Sequence, residues 1–444
     1  MTRIYNDPIN GQQSSIGDVQ FNEFAIQRKA LQDAAEVAYF GQLASVINMP
    51  KHMGKTMKRY HYLPILDDRN INDQGIDALG VSLDPAKWYV FLAGAAVGNT
   101  AGYATQALAE TASAGITDSS VQIGSGNLYG SSKDVGTVTN RFPPLTEMGG
   151  EVNRISNRRI EVEGSITKYG FHDKYTKASL DFDTDMELEA HIYREHMIAA
   201  NQMTEAQLQV DLLAGAGALW YGGSALAMNQ VNGDDTTESL ITYDLLRKIE
   251  IDLDLALCPK STKMITGVRM IDTKVVNGAR YMYIGSELIP TIKDMVNNFG
   301  QPAFIETPHY AAGSVIAKGE IGQIDAWKFI VVPEMLSWSG KGAVVGATNA
   351  AGNVDGYRTT TFNGVESYDV FPLLAVGSES FSSIGFQTDG KVVKFTIKHV
   401  KPESDISYAL DKYGETGFTS IKWWFGSIIY RPEWIALAHT VAKL

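Results

Sequence analysis

The chain has 444 residues, of which 44% are hydrophobic and 20% are charged. It therefore carries enough apolar material for a substantial core and is not a mainly disordered protein. At the usual domain size of about 150 residues, this length divides into two or three units. The 38 basic and 50 acidic residues give a net charge of −12, which argues against a dedicated nucleic-acid binder, because such proteins need a basic face.

The sequence also lacks the signals of secretion and of membrane insertion. Residues 1–20 are polar and do not contain the apolar centre of a signal peptide. A run of about 20 apolar residues, as a membrane span would require, does not occur. The single cysteine, Cys258, excludes a disulfide framework and a cysteine-based zinc site, and it fits a chain that matures in a reducing cytoplasm.

The N-terminal part reads as a tail, a helix and a strand. Residues 1–17 are polar and turn-rich, which is typical of a flexible tail. Apolar residues at helical spacing predict a helix over 22–47, which is either an ordinary packed helix or an arm lying on a neighbouring subunit. The aromatic-rich stretch 55–66 predicts a strand, and Pro64 marks its end or a bulge.

Residues 67–148 form the least typical segment. Between Ala86 and Asn140 it contains only five charged residues, and glycine, alanine, serine and threonine dominate. A structureless loop of this length would be anomalous inside a compact domain. The segment is therefore predicted to be a protruding arm that packs on another chain or a small inserted domain.

The stretch 159–168 alternates between two kinds of residue. Ile160, Val162, Gly164 and Ile166 fall on one side, whereas charged and polar side chains fall on the other. This period of two predicts a strand of an antiparallel pair with one packed face and one solvated face.

A long helix is predicted over 184–214. Its N-cap lies within Asp183-Thr184-Asp185, and it stops at Gly215-Ala216-Gly217. An apolar stripe at steps of three and four runs along it: Ala190, Tyr193, Met197, Ala200, Met203, Ala206, Val210 and Leu213. About 31 residues is far above the mean helix length of about 11–12, so this helix is predicted to be the spine of a flat or elongated molecule.

The remainder alternates between strands and short helices, so the predicted class is α+β. Helices are expected at 243–257 and 286–298, the second interrupted near its start by Pro290. Strands are expected within 274–284, at 327–332, at 392–400 and at 422–430.

Two glycine-rich motifs fail as phosphate-binding sites. Gly54-Lys55-Thr56 resembles the end of a P-loop, but residue 49 is Met where glycine is needed, and a strand rather than a helix follows. The run from Gly124 to Gly130 is one residue too long for the dinucleotide fingerprint and lacks a βαβ context.

Candidate catalytic residues do not form a constellation. His191 and His196 lie five residues apart, about 140° around a helix, so they cannot share one metal as an i, i+4 pair would. His172 is the only histidine followed directly by an acid, Asp173, and no nucleophile elbow accompanies this pair. Acids at positions 181, 183 and 185 suit a helix N-terminus better than a metal cage. The sequence thus predicts no catalytic site, no metal and no cofactor, which favours a binding or structural protein.

Several stretches, in the right order, resemble the HK97-like major capsid proteins of tailed phages, and specifically the N4-like branch of that family. They cover roughly residues 50–66 and 142–440 and are individually of moderate specificity. The segment between the strands predicted at 55–66 and 159–168 is longer than the corresponding segment of the family. The stretches are PLTE (144–147), ITKYG (166–170), LLAG (212–215), KGEIGQI (318–324), WKF (327–329), DVFP (369–372), VG (376–377), KW (422–423) and PEWI (432–435).

The resemblance implies a layout for the whole chain. An N-terminal arm (1–50) precedes an extended β-loop (51–170) with an enlarged insertion at 67–148, whose role is a loop tip, an inserted domain or a contact for a decoration protein. A peripheral domain (171–240) contains the spine helix 184–214. An axial domain (241–370) follows, and C-terminal strands (371–444) complete both domains.

The resemblance also implies inter-subunit contacts and hinges. The two strands of the extended loop are expected to lie over a neighbouring subunit, and the glycines after the spine helix to act as hinges. The expected contact residues are Arg59, Tyr60, Tyr62, Arg158, Arg159, Glu161, Glu163, Lys168 and Tyr169. The hinge candidates are Gly215, Gly217, Gly222 and Gly223.

The implied function is a major capsid protein that assembles into pentamers and hexamers of an icosahedral head around double-stranded DNA. Expected partners are further copies of the chain, the DNA without sequence specificity, and the portal, scaffolding and decoration proteins of the same phage, but no membrane. Arg154, Arg158 and Arg159 are candidates for balancing phosphate on the inner face. The expected location is the virion, after assembly in the bacterial cytoplasm. Two alternatives remain open: another phage structural subunit (tail, decoration or fibre), or a hydrolase using the His172 region.

Overall fold

The structure is a computed structural model, and it describes only part of the chain. The described residues are 38–62, 83–84, 86–92, 95–116, 121–126, 159–182, 188–233, 238–265, 273–310, 317–346, 356–387, 393–404, 407 and 411–443. The predicted N-terminal arm up to residue 37, the N-cap of the spine helix, Arg154 and Arg158 lie outside these residues. So does much of the segment 67–148.

Strands account for most of the regular structure. They are β1 (Ser45–Met49), β2 (Thr56–Tyr62), β3 (Trp88–Leu92), β4 (Ala95–Val97), β5 (Val121–Ser125), β6 (Arg159–Ser165), β7 (Thr167–Thr176), β8 (Ala218–Tyr221), β9 (Ser261–Ile265), β10 (Thr273–Asn277), β11 (Arg280–Ile284), β12 (Ile305–Glu306), β13 (Glu320–Ile324), β14 (Trp327–Val331), β15 (Thr359–Phe362), β16 (Val365–Tyr368), β17 (Phe371–Val376), β18 (Phe381–Phe386), β19 (Thr396–Val400), β20 (Thr416–Ile429) and β21 (Ile435–Thr440). The helices are α1 (Gln106–Ser113), α2 (Lys177–Phe182), α3 (Leu188–Ala214), α4 (Tyr243–Leu255) and α5 (Ile289–Lys293). The α+β class is thereby confirmed.

The chain divides into two compact units. The larger unit comprises residues 37–171, 199–396 and 421–444, and the smaller comprises 1–36, 172–198 and 397–420. Within the smaller unit, Tyr175 is buried and its hydroxyl lies 3.1 Å from Nε2 of His399. Nδ1 of the same ring lies 2.7 Å from the Thr419 hydroxyl.

A ten-stranded mixed sheet is the centre of the larger unit. Its strand order is β12-β13-β14-β11-β17-β21-β8-β5-β3-β4. Strands β11 and β17 are buried at every position, as expected for apolar strands covered on both faces. Helix α4 packs Leu246, Ile249 and Leu253 into one core cluster with Met282 and Phe329 of the sheet.

A second sheet contains β1, β18 and β20 in that order. Strand β1 is parallel to β18, with Ser45 opposite Ser382, whereas β18 is antiparallel to β20. Strand β7 also pairs with β20. A smaller core forms between this sheet and neighbouring segments: Met49, Ile166, Ile384, Ile428 and Tyr430.

Several predicted elements are confirmed. Helix α4 begins after Thr242, whose hydroxyl accepts a hydrogen bond from the Leu245 amide at 3.2 Å, and it ends two residues before the predicted boundary. The strands expected at 55–66, 159–168, 274–284, 327–332, 392–400 and 422–430 all appear where their residues are described. Helix α3 ends at Ala214, as the glycine stop predicted.

Two predicted helices are wrong in part. The helix expected over 22–47 cannot extend to its predicted end, because Ser45–Met49 form β1, paired with β18. Tertiary pairing overrides the helical spacing there. The helix expected over 286–298 is reduced to a 3₁₀ turn (Ser286–Leu288) and the short α5. Val296 instead forms a bridge with Pro302, which returns the chain towards the sheet.

Three strands of the segment 67–148 belong to the main sheet. Strand β3 pairs antiparallel with β4 and β5, and β5 pairs with β8 through Ile123 opposite Leu219. Tyr89 and Val90 are each 1% exposed. These strands extend the sheet at one edge, whereas the rest of the prediction for this segment concerns residues outside the described ones.

Candidate functional site

The predicted strand pair of the extended loop is present as a two-stranded ribbon of β2 and β6. The strands are antiparallel, with a register that runs from Thr56 opposite Ser165 to Tyr62 opposite Arg159. Because side chains alternate along each strand, cross-strand partners share a face. The ribbon therefore has two faces of different chemistry.

One face of the ribbon is exposed to solvent, and we call it the outer face. It consists of Lys58, Tyr60, Tyr62, Arg159, Glu161 and Glu163. The side chains of Tyr60 and Tyr62 are 46% and 69% exposed. The outer face thus presents two aromatic rings among charges, and of its residue types tyrosine and arginine are the ones enriched at protein interfaces.

Charges on the outer face are paired within the ribbon. Lys58 forms ion pairs with Glu163 and, at 3.4 Å, with Glu161, and its hydrogen bond with Glu163 raises its pKa above the ordinary value. The Arg159 guanidinium lies 4.3 Å from the ring centre of Tyr60 and 3.4 Å from Glu161. Exposed pairs of this kind contribute little to the free energy of folding.

The opposite face of the ribbon packs on the C-terminal strands. Met57 and Val162 contact the core cluster around Ile428 and Tyr430. A side chain at Gly164 would meet Ile428 at 2.8 Å, so glycine is required for this close approach. The predicted alternation of 159–165 is therefore confirmed: the apolar residues face the fold and the charged ones face solvent.

The predicted contact residues fall into two groups. Tyr60, Tyr62, Arg159, Glu161 and Glu163 lie together on the outer face. The other three described residues pack on aromatic rings of the C-terminal part of the chain. Arg59 lies 4.4 Å from the Tyr430 ring centre, Lys168 lies 5.9 Å from the Trp424 ring centre, and Tyr169 stacks on Trp423 at 5.9 Å.

Three of the four hinge candidates, Gly215, Gly217 and Gly222, lie in closely packed surroundings. Gly217 donates its amide to the Pro432 carbonyl at 2.9 Å, and a side chain there would meet the Pro432 backbone at 2.5 Å. A side chain at Gly222 would meet the Ser239 carbonyl oxygen at 2.5 Å, and one at Gly215 would overlap Ile429. Gly223 is exposed and adopts a left-handed φ of 61°.

The residues considered for catalysis remain separate. His172 and Asp173 are consecutive exposed residues of β7, so their side chains point to opposite faces of the strand. His196 is buried whereas His191 is partly exposed. Burial raises the pKa of the Cys258 thiol to about 11, which disfavours a thiolate nucleophile.

Within the described residues, no cluster of three or more histidine, cysteine or acidic side chains could hold a metal ion. In the same part of the chain, no helix is long and apolar enough to cross a membrane.

The sequence did not reveal the aromatic residues on which distant segments of the chain pack. Trp424 receives Lys55, which lies just before the ribbon, Tyr430 receives Arg59 of the ribbon, and Trp423 receives Tyr169 of β7. The only signal for them is the aromatic-rich run KWWFGSIIY at 422–430, whose composition predicts only a strand.

The chain is similar to known phage proteins. It is 48% identical over 440 residues to the major capsid protein of Pseudomonas phage KPP21, covering 99% of this chain and 97% of that protein. No family model matches. Similar solved structures include the capsid of cyanophage P-SCSP1u (12% identity, TM-score 0.44, 98% of this chain and 97% of that one). Another is the head of Helicobacter pylori bacteriophage KHP40 (9% identity, TM-score 0.46, 97% and 99%).

Proposed function

The chain belongs to the phage major capsid protein family, and on that premise we propose that it is the subunit from which an icosahedral phage head is built. The observation that carries the proposal is the 48% identity to a phage major capsid protein over 99% of this chain. At that identity and coverage the two chains share a fold and have corresponding surfaces throughout. The shell forms by contacts between copies of the chain in pentamers and hexamers.

The finer assignments are part of the same proposal. We place the fold in the HK97-like class and the chain in its N4-like branch, supported by the ordered sequence stretches named above. The order of elements fits: a two-stranded ribbon of β2 and β6, then the long helix α3, then a mixed α+β body. In this layout the ribbon is the extended loop and α3 is the spine of the peripheral domain.

The ribbon is the proposed contact with the neighbouring subunit. Its support is the outer face, where two exposed tyrosines lie among four charged residues. Heterologous contacts that close by rotation generate rings, which is the symmetry that pentamers and hexamers require. The glycines after α3 are the proposed hinges, which would let the same chain take part in both pentamers and hexamers.

The shell encloses double-stranded DNA without reading its sequence. The net charge of −12 opposes tight DNA binding, which suits a genome that must leave. Portal, scaffolding and decoration proteins of the same phage are the proposed partners. Assembly takes place in the host cytoplasm, and the final location is the virion. The role is structural rather than catalytic.

Two other functions compete with this proposal. A tail, decoration or fibre subunit would share the phage origin but not the shell-forming role. A hydrolase built on His172 is the less favoured alternative, since His172 and Asp173 point to opposite faces of β7. Neither alternative predicts a closed shell, and the hydrolase predicts a monomer or a small oligomer.

The deciding experiment is light scattering after size-exclusion chromatography of the recombinant chain, followed by negative-stain electron microscopy. Pentameric or hexameric rings, or closed shells, are the expected products. A monomer or dimer that fails to assemble even when other proteins of a related phage are co-expressed would refute the proposal.

A further inference from the structure

Three segments of the larger unit carry positive charge without any negative charge. They are the turn that leads into β2 (50–57), the first part of β7 (166–171) and the later part of β20 (421–429). Together they contain no aspartate, glutamate or arginine, but four lysines: Lys51, Lys55, Lys168 and Lys422. In a chain with 50 acidic against 38 basic residues, these segments are a local excess of positive charge.

Three of these lysines meet on one side of β7 and β20. The ammonium groups of Lys55 and Lys168 lie 5.6 and 5.9 Å from the centre of the Trp424 ring. Lys422 lies two residues before Trp424 on β20, so both side chains point to the same side of that strand. A side chain at Gly170, two residues after Lys168 on β7, would meet Cβ of Lys422 at 3.2 Å. The two strands therefore present Lys55, Lys168, Lys422 and Trp424 on one surface, which we call the lysine face.

The lysines of this face are exposed and lack a compensating charge. Lys55, Lys168 and Lys422 are all exposed to solvent. In the part of the chain that the structure describes, none of the three forms an ion pair. Lys58 of the outer face, by contrast, pairs with two glutamates of the ribbon. The indole ring attracts an ammonium group and helps to hold it in place, but it does not neutralise the charge.

The residue types of the lysine face favour phosphate over carboxylate as the group that it meets. A lysine ammonium binds phosphate as a compact point charge, whereas arginine supplies the fork of donors that matches a carboxylate. Lysine is also depleted at protein–protein interfaces, where arginine is enriched. A cluster of lysines without arginine is therefore more typical of a surface that meets a nucleic acid than of one that meets another protein.

We propose that the lysine face contacts the phosphate backbone of the double-stranded DNA inside the shell. The inference rests on the proposed function, which supplies a polymer that carries one negative charge per about 1.7 Å of its axis. The net charge of −12 disfavours contact with DNA elsewhere on the chain. Phosphate contacts carry no sequence information, so this surface holds any genome, and a few lysines hold it weakly. The proposal also orients the chain, because the lysine face then lies on the inner side of the shell.

Lysine labelling in filled and emptied heads tests the proposal. Heads that contain DNA, and the same heads after release and nuclease digestion of the DNA, are treated briefly with a small amine-acetylating reagent at low salt. Mass spectrometry then gives the rate at which each lysine is acetylated. We expect Lys55, Lys168 and Lys422 to react several-fold more slowly in the filled heads, because a phosphate in contact favours the charged ammonium over the neutral amine that reacts.

Lys274 and Lys341 are the controls, because both are exposed and lie outside the lysine face. Their rates give the change that removal of DNA causes at an ordinary surface lysine. Two outcomes would overturn the proposal. One is a ratio of rates at the lysine face no larger than the ratio at the controls. The other is slow reaction in both filled and emptied heads, which would assign these lysines to a carboxylate of this chain or of a neighbouring protein.

The salt dependence of DNA binding gives an independent measure. Rings or opened shells are mixed with a short labelled duplex of random sequence, and fluorescence anisotropy follows binding over a series of salt concentrations. The Lys168→Gln/Lys422→Gln variant should have a slope of log K against log salt that is shallower by about 1.8, since each lost phosphate contact removes about 0.9. The charge-matched Lys274→Gln/Lys341→Gln variant should keep the wild-type slope, and melting temperatures check that both variants fold.

Equal slopes for the two variants, or no binding of the duplex by wild-type particles at low salt, would overturn the proposal. Failure of the wild-type chain to form rings or shells would instead refute the proposed function.

Discussion

At the scale of single residues, Glu205 anchors the turn at Phe40 and Gly41. Its carboxylate accepts the amide of Phe40 at 2.8 Å and that of Gly41 at 3.2 Å. Burial raises the pKa of Glu205, and the hydrogen bonds with these backbone amides lower it in part. One side chain of helix α3 thus satisfies two donors in a turn far away along the chain.

Replacing Glu205 by alanine should lower the free energy of unfolding by about 2–4 kcal/mol, because two backbone donors lose a charged acceptor. Glu205→Gln keeps one acceptor and should cost about half as much. Urea denaturation measures both. Glu195, exposed on the same helix, is the control, and a Glu195→Ala variant as unstable as Glu205→Ala would contradict this account.

Glu433 should make stability depend on pH. Burial raises its pKa from 4.5 to about 7, so between these values the folded chain holds a proton that the unfolded chain has released. The contribution of Glu433 to stability therefore falls as pH rises from 4.5 to 7, by at most about 1.4 kcal/mol per pH unit.

In a Glu433→Gln variant this slope should vanish. Urea unfolding at pH 5, 6, 7 and 8 should show the variant gaining stability relative to wild type as pH rises. The exposed Glu334→Gln variant should track wild type at every pH. Parallel curves for wild type and Glu433→Gln would show that the carboxyl titrates normally.

At the scale of elements, helix α3 lies where the sequence predicts it, but the face that it buries matches the predicted stripe only in part. Ala200 of the stripe is buried, and so are Leu208 and Leu212, which lie outside the stripe. Three other members of the stripe face solvent: Tyr193, Met203 and Val210 are 45–49% exposed. Periodicity located the helix, but both faces carry apolar residues, so the spacing could not decide which one packs.

Gly217→Ala should lower the free energy of unfolding by about 2–3 kcal/mol, since a side chain there would lie 2.5 Å from the Pro432 backbone and overpacking carries such a cost. Gly223→Ala should cost about 1 kcal/mol, from its left-handed φ alone. Thermal melting and urea denaturation compare the two. A Gly217→Ala chain that folds as stably as wild type, yet forms only one kind of ring, would favour the hinge role.

At the scale of the whole molecule, the ribbon should matter for assembly and not for folding. Tyr60→Ser/Tyr62→Ser removes two exposed rings, so the melting temperature should stay within a few degrees while shell yield falls at least about tenfold. Light scattering and electron microscopy measure the yield. Phe362→Ser is the comparison, because Phe362 is 73% exposed on the β15–β16 hairpin. Wild-type yield from the tyrosine variant would remove the ribbon from the proposed interface.

Part of the candidate site was predictable because local pattern sufficed for it. The alternation of 159–165 assigned Glu161 and Glu163 to the solvated face, since a period of two separates the faces of a strand. The partner strand TMKRYHY has no such alternation. Only its register with β6 shows that Tyr60 faces solvent while Arg59 packs on Tyr430.

By itself the sequence determined the α+β class, the long helix, most strands and the resemblance to phage capsid proteins, because these depend on local periodicity, caps and short ordered motifs. Tertiary structure alone decided which face of α3 is buried, that β3–β5 extend the main sheet, and that Lys55 and Lys168 meet at the Trp424 ring. The physical reason is that strand register and packing join residues far apart along the chain, and no local pattern encodes which distant strand a segment will pair with.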